Sequence, residues 1–337
     1  MSGGQAQLVA FGPQDEFLYD AARVSFFQGS YKRHTHFSQN IERQLMQGNP
    51  AANAMTTVKV DRRGDLLSYV YIAAKNGAAA NWAAVIDHVE LYIGGSLIDT
   101  QYYEFSEIAL DIMATSQSKS SASNTLNYGT LTSAPFFPLR FFFCEQSQVM
   151  LPLVSLQNQE VEIRFYWSSS FPSGGQFDVY ANFVYLSEEE RKFFLNTPMN
   201  ILITQCQRVT SMDNISLPLS LNHPVKYLLS RRAAWNDSAA LVNLQINGQD
   251  VTDPKPGNPH YTAVPSFYHS TNQANKDVFL YPFCLSTSSY QPCGTLNFSR
   301  TENSKLVSTV AITTNVYAVN YNMLRIKNGQ AGVMFAN

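Results

Sequence analysis

The chain runs to 337 residues, of which 45% are hydrophobic, 13% aromatic and only 14% charged. That length exceeds one ordinary core and suits two domains, and a soluble domain usually carries about 25% charged residues. Few charges beside many Tyr and Phe imply an outer surface largely covered by neighbouring subunits, while a formal charge of −2 and a pI near 6.3 exclude a global field that draws nucleic acid.

In chain order, the first 22 residues hold no Lys or Arg and carry Asp15, Glu16 and Asp20. No basic arm is there to neutralise phosphate, so direct nucleic-acid contact is not expected. The basic and apolar regions of a signal peptide are missing, and no run reaches the roughly 18 apolar residues of a membrane span. A soluble, cytoplasmic protein is expected. His34 and His36 fall on one side of an extended segment, but no third ligand follows at metal-binding spacing, so the pair reads as a polar edge. Residues 57–61 alternate like a strand. Arg63-Gly64-Asp65 then reads as a turn into a strand over 66–72 rather than as a receptor-binding tripeptide. The paired basics Arg62, Arg63, Arg231 and Arg232 suit subunit salt bridges or a solvated face.

A strand is predicted over 89–93, and a helix over about Tyr103–Met113 with Phe105, Ile108, Ala109 and Ile112 on one face. That helix is expected to cap an open end of a first sandwich. Residues 116–133 read as a loop and 161–165 as a strand. Ser187 and Glu190 are spaced as a capping box, and Arg191, Lys192, Phe193, Phe194 and Leu195 continue a short helix that Pro198 ends. It reads as a connector. Beyond it, 250–276 reads as a loop and 279–285 as a strand.

Cys144, Cys206, Cys284 and Cys293 lack CxxC spacing and are expected as reduced, unpaired thiols, with Cys144 and Cys284 buried in apolar stretches. Asn214, Asn236 and Asn297 fit the N-glycosylation pattern but mean nothing without a secretory route. No phosphate-cradling glycine loop, dinucleotide fingerprint or nucleophile elbow occurs. No catalytic, cofactor-binding or metal-binding residue is therefore nominated, and no cofactor is expected.

The chain also echoes itself. Val89-x-Leu91-x-Ile93-x-Gly95-x-x-Ile98 recurs 153 residues on as Val242-x-Leu244-x-Ile246-x-Gly248-x-x-Val251, and Val179-Tyr180-Ala181 recurs 137 residues on as Val316-Tyr317-Ala318. Two echoes in the same order over unequal intervening lengths point to one duplicated β-domain. Short strands between Ser-, Asn-, Gly- and Pro-rich turns make each copy a sandwich, and patterning leaves jelly roll and immunoglobulin-like topologies both open.

Several ordered blocks settle that choice by resemblance: Gly4 to Asp15, Phe26 to Phe37, Val89 to Asp99, Leu151-Pro152-Leu153-Val154-Ser155-Leu156-Gln157, His223-Pro224-Val225-Lys226-Tyr227-Leu228, Ser289 to Arg300 and Val316 to Ile326. Together they resemble the major capsid proteins of nucleocytoplasmic large DNA viruses. The resemblance implies an all-β double jelly roll: two tandem eight-stranded antiparallel sandwiches with a few short helices. Its divisions would be an extended N-terminal segment at 1–24, a first jelly roll at 25–187, a helical connector at 188–199 and a second jelly roll at 200–337. It implies a structural protein, not an enzyme, that forms homotrimeric, pseudo-hexagonal capsomers tiling an icosahedral shell. Partners would be the chain itself, neighbouring capsomers, and minor capsid and penton proteins. An inner membrane would lie nearby without insertion, and there would be no direct nucleic-acid contact. The location would be the virion, after assembly in the host cytoplasm. The chain is shorter than many relatives, which leaves a smaller paralogous capsid component as an alternative. Outside that class, a carbohydrate-binding β-sandwich or a glycan-processing enzyme with paired carboxylates would account for the strands and aromatics.

Overall fold

The computed structural model describes residues 2–18, 27–75, 82–113, 136–269 and 278–335. Residues 1–36 form one unit and residues 37–337 another. In the first unit, helix α1 (Gly3–Val9) is capped reciprocally: Ser2 Oγ accepts from Gln5 N, and Gln5 Oε1 accepts from Ser2 N. Part of the segment expected as extended is thus helical, because Ser2 and Gln5 stand at the spacing of a capping box.

The second unit is built around antiparallel strands. Its first half holds β1 (Phe37–Gln44), β2 (Met46–Gln47), β3 (Met55–Lys59), β4 (Leu66–Ala74) and β5 (Ile86–Ile93). There follow β6 (Ser96–Tyr102), helix α2 (Tyr103–Met113), β7 (Phe136–Pro138), helix α3 (Phe142–Glu145), β8 (Leu151–Pro152), β9 (Val161–Trp167) and β10 (Phe177–Leu186). Helix α4 (Glu188–Asn196) leads to β11 (Met199–Val209), β12 (Asn214–Pro218), β13 (Pro224–Arg231), β14 (Leu241–Ile246), β15 (Gln249–Asp250) and β16 (Lys255–Pro256). Helices α5 (Gly257–His260) and α6 (Ala263–His269) precede β17 (Val278–Pro282), β18 (Leu296–Asn297), β19 (Lys305–Ile312), β20 (Val316–Lys327) and β21 (Gln330–Val333).

The same strand order appears twice. One first-half sheet runs β1-β10-β4-β7, and its second-half counterpart runs β11-β20-β13-β17. The facing sheets run β2-β3-β9-β5-β6 and β12-β19-β14-β15. Both echoes sit on corresponding strands. Val89 and Val242 lie on β5 and β14, and Val179 and Val316 on β10 and β20. The turns correspond too: Gly94 and Gly95 have φ of 58° and 80°, Asn247 and Gly248 of 53° and 79°. Positive φ at both central residues gives the primed two-residue hairpin whose twist matches its strands. This is the double jelly roll that the resemblance implied.

Strand β9 follows the alternation read from sequence. Val161, Ile163, Phe165 and Trp167 face the core, while Glu162, Arg164 and Tyr166 are only half-buried. Strands β13 and β20 break the alternation, with Val225 to Ser230 and Val316 to Asn322 buried almost without interruption. Such runs belong to strands covered on both faces. The inner face of their sheet packs Leu228, Phe279 and Ala318 into the second sandwich, and its outer face packs Tyr227, Leu229, Val278, Leu280, Tyr317 and Val319 under α2.

Helix α2 therefore corrects one expectation. It has the predicted bounds and the predicted face, but Phe105, Ile108, Ala109 and Ile112 lie on the second half's sheet and do not cap the first sandwich. Polar contacts fix it there: Tyr317 Oη donates to Glu104 Oε2 at 2.6 Å, Asn315 Nδ2 donates to the same oxygen, and Arg231 pairs with both Glu104 and Glu107. Conversely, Ile203, Leu324, Ile326 and Ala331 of the second half join the first half's core. Two further readings change. Ser187 makes no side-chain cap on α4, whose first turn carries Glu188, Glu189 and Glu190 at the positive helix end. The segment read as a loop at 250–276 holds β16, α5 and α6 as far as residue 269. The loop read at 116–133 lies outside the described residues.

Because Ile108 is buried against a foreign sheet, Ile108→Ala should lower unfolding stability by about 2–5 kcal/mol. Urea titration followed by fluorescence checks this, and a loss below about 0.5 kcal/mol would be that of a surface substitution.

Candidate functional site

The seam between the two sandwiches is polar and buried. Asp99 on β6 is 4% exposed. Its Oδ1 accepts from Cys206 N on β11 at 2.9 Å and from Thr100 N at 3.0 Å, and its Oδ2 accepts from Gln101 Nε2 at 3.0 Å. Gln101 also exchanges hydrogen bonds with the backbone of Arg140. From the other half, Gln205 Nε2 donates to Ile98 O, and Asn322 Nδ2 donates to Gln205 Oε1 at 2.9 Å. Lys226, also 4% exposed, donates to the carbonyls of Thr287 and Ser289, both at 2.8 Å. A cavity of about 210 Å³ opens between these groups, lined from one side by Asp99, Arg140 and Glu145 and from the other by Cys206, Lys226 and Tyr321.

Burial dominates the electrostatics here. Desolvation pushes the Asp99 carboxyl up to about 6, although three donors favour its charged form. Desolvation likewise lowers Lys226, and it raises Cys206 and Tyr321. Arg140 faces Glu145 at 2.9 Å. Nothing resembling a nucleophile held by a base is assembled.

The residues weighed in the sequence separate cleanly. His34 and His36 are both exposed, and the described residues hold no cluster of three potential metal ligands. Asp65 of the Arg-Gly-Asp tripeptide is 7% exposed; its carboxylate accepts from Leu186 N and pairs with Arg191 of α4 at 3.0 Å. A methyl group at Gly64 would lie 2.6 Å from Phe183 Cβ, so glycine is required by close approach, and the tripeptide is a structural corner. Arg62, Arg63, Arg231 and Arg232 all find partners within the chain, while Arg62, Arg63 and Arg231 stay exposed, as the solvated-face reading expected. The partners are the carbonyls of Gln157 and Gln159, Glu42 with Asp61, Glu104 with Glu107, and Asp237. The four thiols are unpaired. Cys284 is buried and pushed up to about 11; Cys144 is only half-buried and pushed up to about 12, and Cys206 is the other buried thiol. Asn236 is fully buried, with Nδ2 donating to Arg231 O. Trp82, Trp167 and Trp235, the three tryptophans of the chain, are at most 2% exposed and offer no sugar-stacking platform.

Two apolar surfaces escaped sequence reasoning. On the outer face of β1-β10-β4-β7, Tyr71 stacks on Tyr180 at 5.4 Å and meets Phe136 edge-on at 5.9 Å, beside Tyr69. On α6 and after β17, Val264, Phe267, Tyr268 and Leu285 are exposed. The signal for the first was available, because Tyr180 and Tyr317 are repeat counterparts.

Comparison with known proteins identifies the family of this duplicated sandwich. The profile described as "Major capsid protein N-terminus" matches residues 25–187, and that of the "Large eukaryotic DNA virus major capsid protein" matches residues 231–332. The major capsid protein of Pyramimonas orientalis virus is 31% identical, with both chains covered completely. The chain belongs to the family of large eukaryotic DNA virus major capsid proteins. That of Paramecium bursaria Chlorella virus 1 is 25% identical, again over the whole of both chains. Among solved structures, PBCV-1 VP54 superimposes with a TM-score of 0.79 at 24% identity, covering 93% of this chain and all of that one. The Faustovirus major capsid protein gives 0.66 at 11%, covering 91% and 93%. Both confirm the double jelly-roll fold. The alignments with the two relatives span 397 and 438 positions against 337 residues here, so the relatives carry insertions.

The seam makes a pH prediction. Asp99 binds its proton more tightly folded than unfolded, so its contribution to stability grows as pH falls from about 6 toward 4 and is absent above 7. Relative to Asp99→Asn, the wild type should gain about 1 kcal/mol between pH 7.5 and pH 5. Chemical denaturation of both proteins at the two pH values checks this, and parallel pH profiles would refute it.

Proposed function

We propose that the chain is the shell brick of a large DNA virus: three copies form a pseudo-hexagonal capsomer, and capsomers tile an icosahedral shell. The observation that carries this reading is the repeated strand order, locked by α2 and the buried seam into one brick. Three two-domain bricks around a threefold axis present six similar domains, which is the symmetry a hexagonal lattice needs. In this reading residues 25–187 and 200–337 are the two jelly rolls, 188–199 joins them, and 1–24 reaches toward neighbours. The role is structural and not catalytic. Glu104 and Glu107 of α2 illustrate why, being engaged by Arg231, Tyr317 and Asn315.

The partners proposed are other copies of the chain, neighbouring capsomers, and minor capsid and penton proteins. An inner membrane lies close without insertion, and the net charge of −2 favours no direct genome contact. The location is the virion, following assembly in the host cytoplasm. The shorter length relative to the aligned relatives favours a second reading within the same class, a smaller paralogue in the same shell.

Purified protein should scatter light as a trimer, three times 37.7 kDa, and show hexagonal outlines by negative-stain electron microscopy. A stable monomer at micromolar concentration would overturn the brick reading.

A further inference from the structure

The contact between the two sandwiches has a counterpart that the chain does not complete. In the first half, the connection from β6 to β7 carries α2, whose stripe of Phe105, Ile108, Ala109 and Ile112 covers the outer face of β11-β20-β13-β17. At the centre of that face is Tyr317, 1% exposed, with its ring 5.8 Å from Phe105. In the second half, the corresponding connection from β16 to β17 carries α5 and α6. There Val264, Phe267 and Tyr268 stand at i, i+3 and i+4, the spacing of one helix face. They are 42%, 79% and 73% exposed, and Leu285 adds 78%. His269, the last residue of α6, holds the Leu285 segment close, because Thr287 Oγ1 donates to His269 O at 2.8 Å.

The receiving face is duplicated as well. Tyr180 is the repeat counterpart of Tyr317, and on the outer face of β1-β10-β4-β7 it pairs across strands with Tyr71. Around it Tyr69 is 39% and Phe136 43% exposed. Beside this patch Arg43 and Lys75 pair with Asp178, giving the apolar face a polar margin. An aromatic centre inside a charged rim is the usual anatomy of a protein–protein interface.

We propose that α6 of one copy docks, through Phe267 and Tyr268, on the Tyr69-Tyr71-Phe136-Tyr180 face of a second copy, repeating between copies the contact that α2 makes within the chain. The inference rests on the trimer reading and names its interface. It also explains closure: contacts within and between copies alternate around six domains, so three head-to-tail contacts complete a ring. The two aromatics of α6 act as buried anchors within a larger complementary surface.

Phe267→Asp and Tyr180→Asp, made separately, test both sides, with Phe193→Asp on α4 (56% exposed in the wild type) as a surface control. Light scattering across micromolar concentrations should show the first two dissociating at concentrations a hundredfold or more higher than wild type, with the control unchanged. Circular dichroism verifies that each variant is folded. Independently of folding defects, a benzophenone-bearing residue at 267 should photocross-link to peptides from β4, β7 or β10 of another copy. A trimer indifferent to Phe267→Asp, or cross-links mapping elsewhere, overturns this contact while leaving the trimer intact. A wild type that is already monomeric overturns the trimer reading itself.

Discussion

Burial of the β11-β20-β13-β17 sheet on both faces is the constraint on which the rest of the second unit depends. A jelly-roll sheet normally has one face against its partner sheet and one toward water. Here the second face carries Tyr227, Leu229, Leu280 and Tyr317, and leaving it wet would forfeit about 1.5–3 kcal/mol for each large side chain. Helix α2 removes that surface from water. The two sandwiches are consequently joined by an extended apolar contact.

Apolar burial alone would leave the two halves free to slide, since it is non-directional. The polar seam supplies direction. Asp99 accepts a backbone N–H from Cys206, and Gln205 in turn donates to the backbone of Ile98, so β6 and β11 are joined by reciprocal side-chain-to-backbone bonds. A one-residue shift would break both bonds and leave the buried Cys206 N–H and Gln205 Nε2 without their acceptors, each costing about 1–3 kcal/mol. The seam keeps a carboxylate that is expensive to ionise, as its raised proton affinity records. Register is what that cost secures.

How much of this was legible in the sequence depends on which face of each strand meets what. Strands such as β9, with one face in the core, announced themselves by alternation, and the turns by Gly95 and Gly248 at the same place in both echoes. Helix α2 was found to the residue from its apolar stripe, yet its partner was misassigned, because a stripe states that a helix is buried and not where. The both-faces-buried strands β13 and β20 gave no periodic signal; β13 entered only as a family block, and β20 as a family block and through the Val316-Tyr317-Ala318 echo. The seam was illegible for a different reason. Asp99, Gln101, Gln205 and Lys226 are ordinary polar residues whose burial arises from tertiary contacts between segments about a hundred residues apart. Helices α5 and α6 were hidden by their Pro-, Asn- and Gly-rich setting.

Duplication gives the last step. Two copies of one fold start with equal surfaces, so any contact that copy one makes on copy two must either be repeated or be abandoned. Tyr317 and Tyr180 show the two fates at corresponding positions, one sealed beneath a helix and one half-buried on a surface. Retaining Tyr69, Tyr71, Phe136 and Tyr180 on the uncovered face of β1-β10-β4-β7 is costly for a monomer, because contiguous exposed apolar surface invites association. Their retention is consistent with association being the purpose of the face.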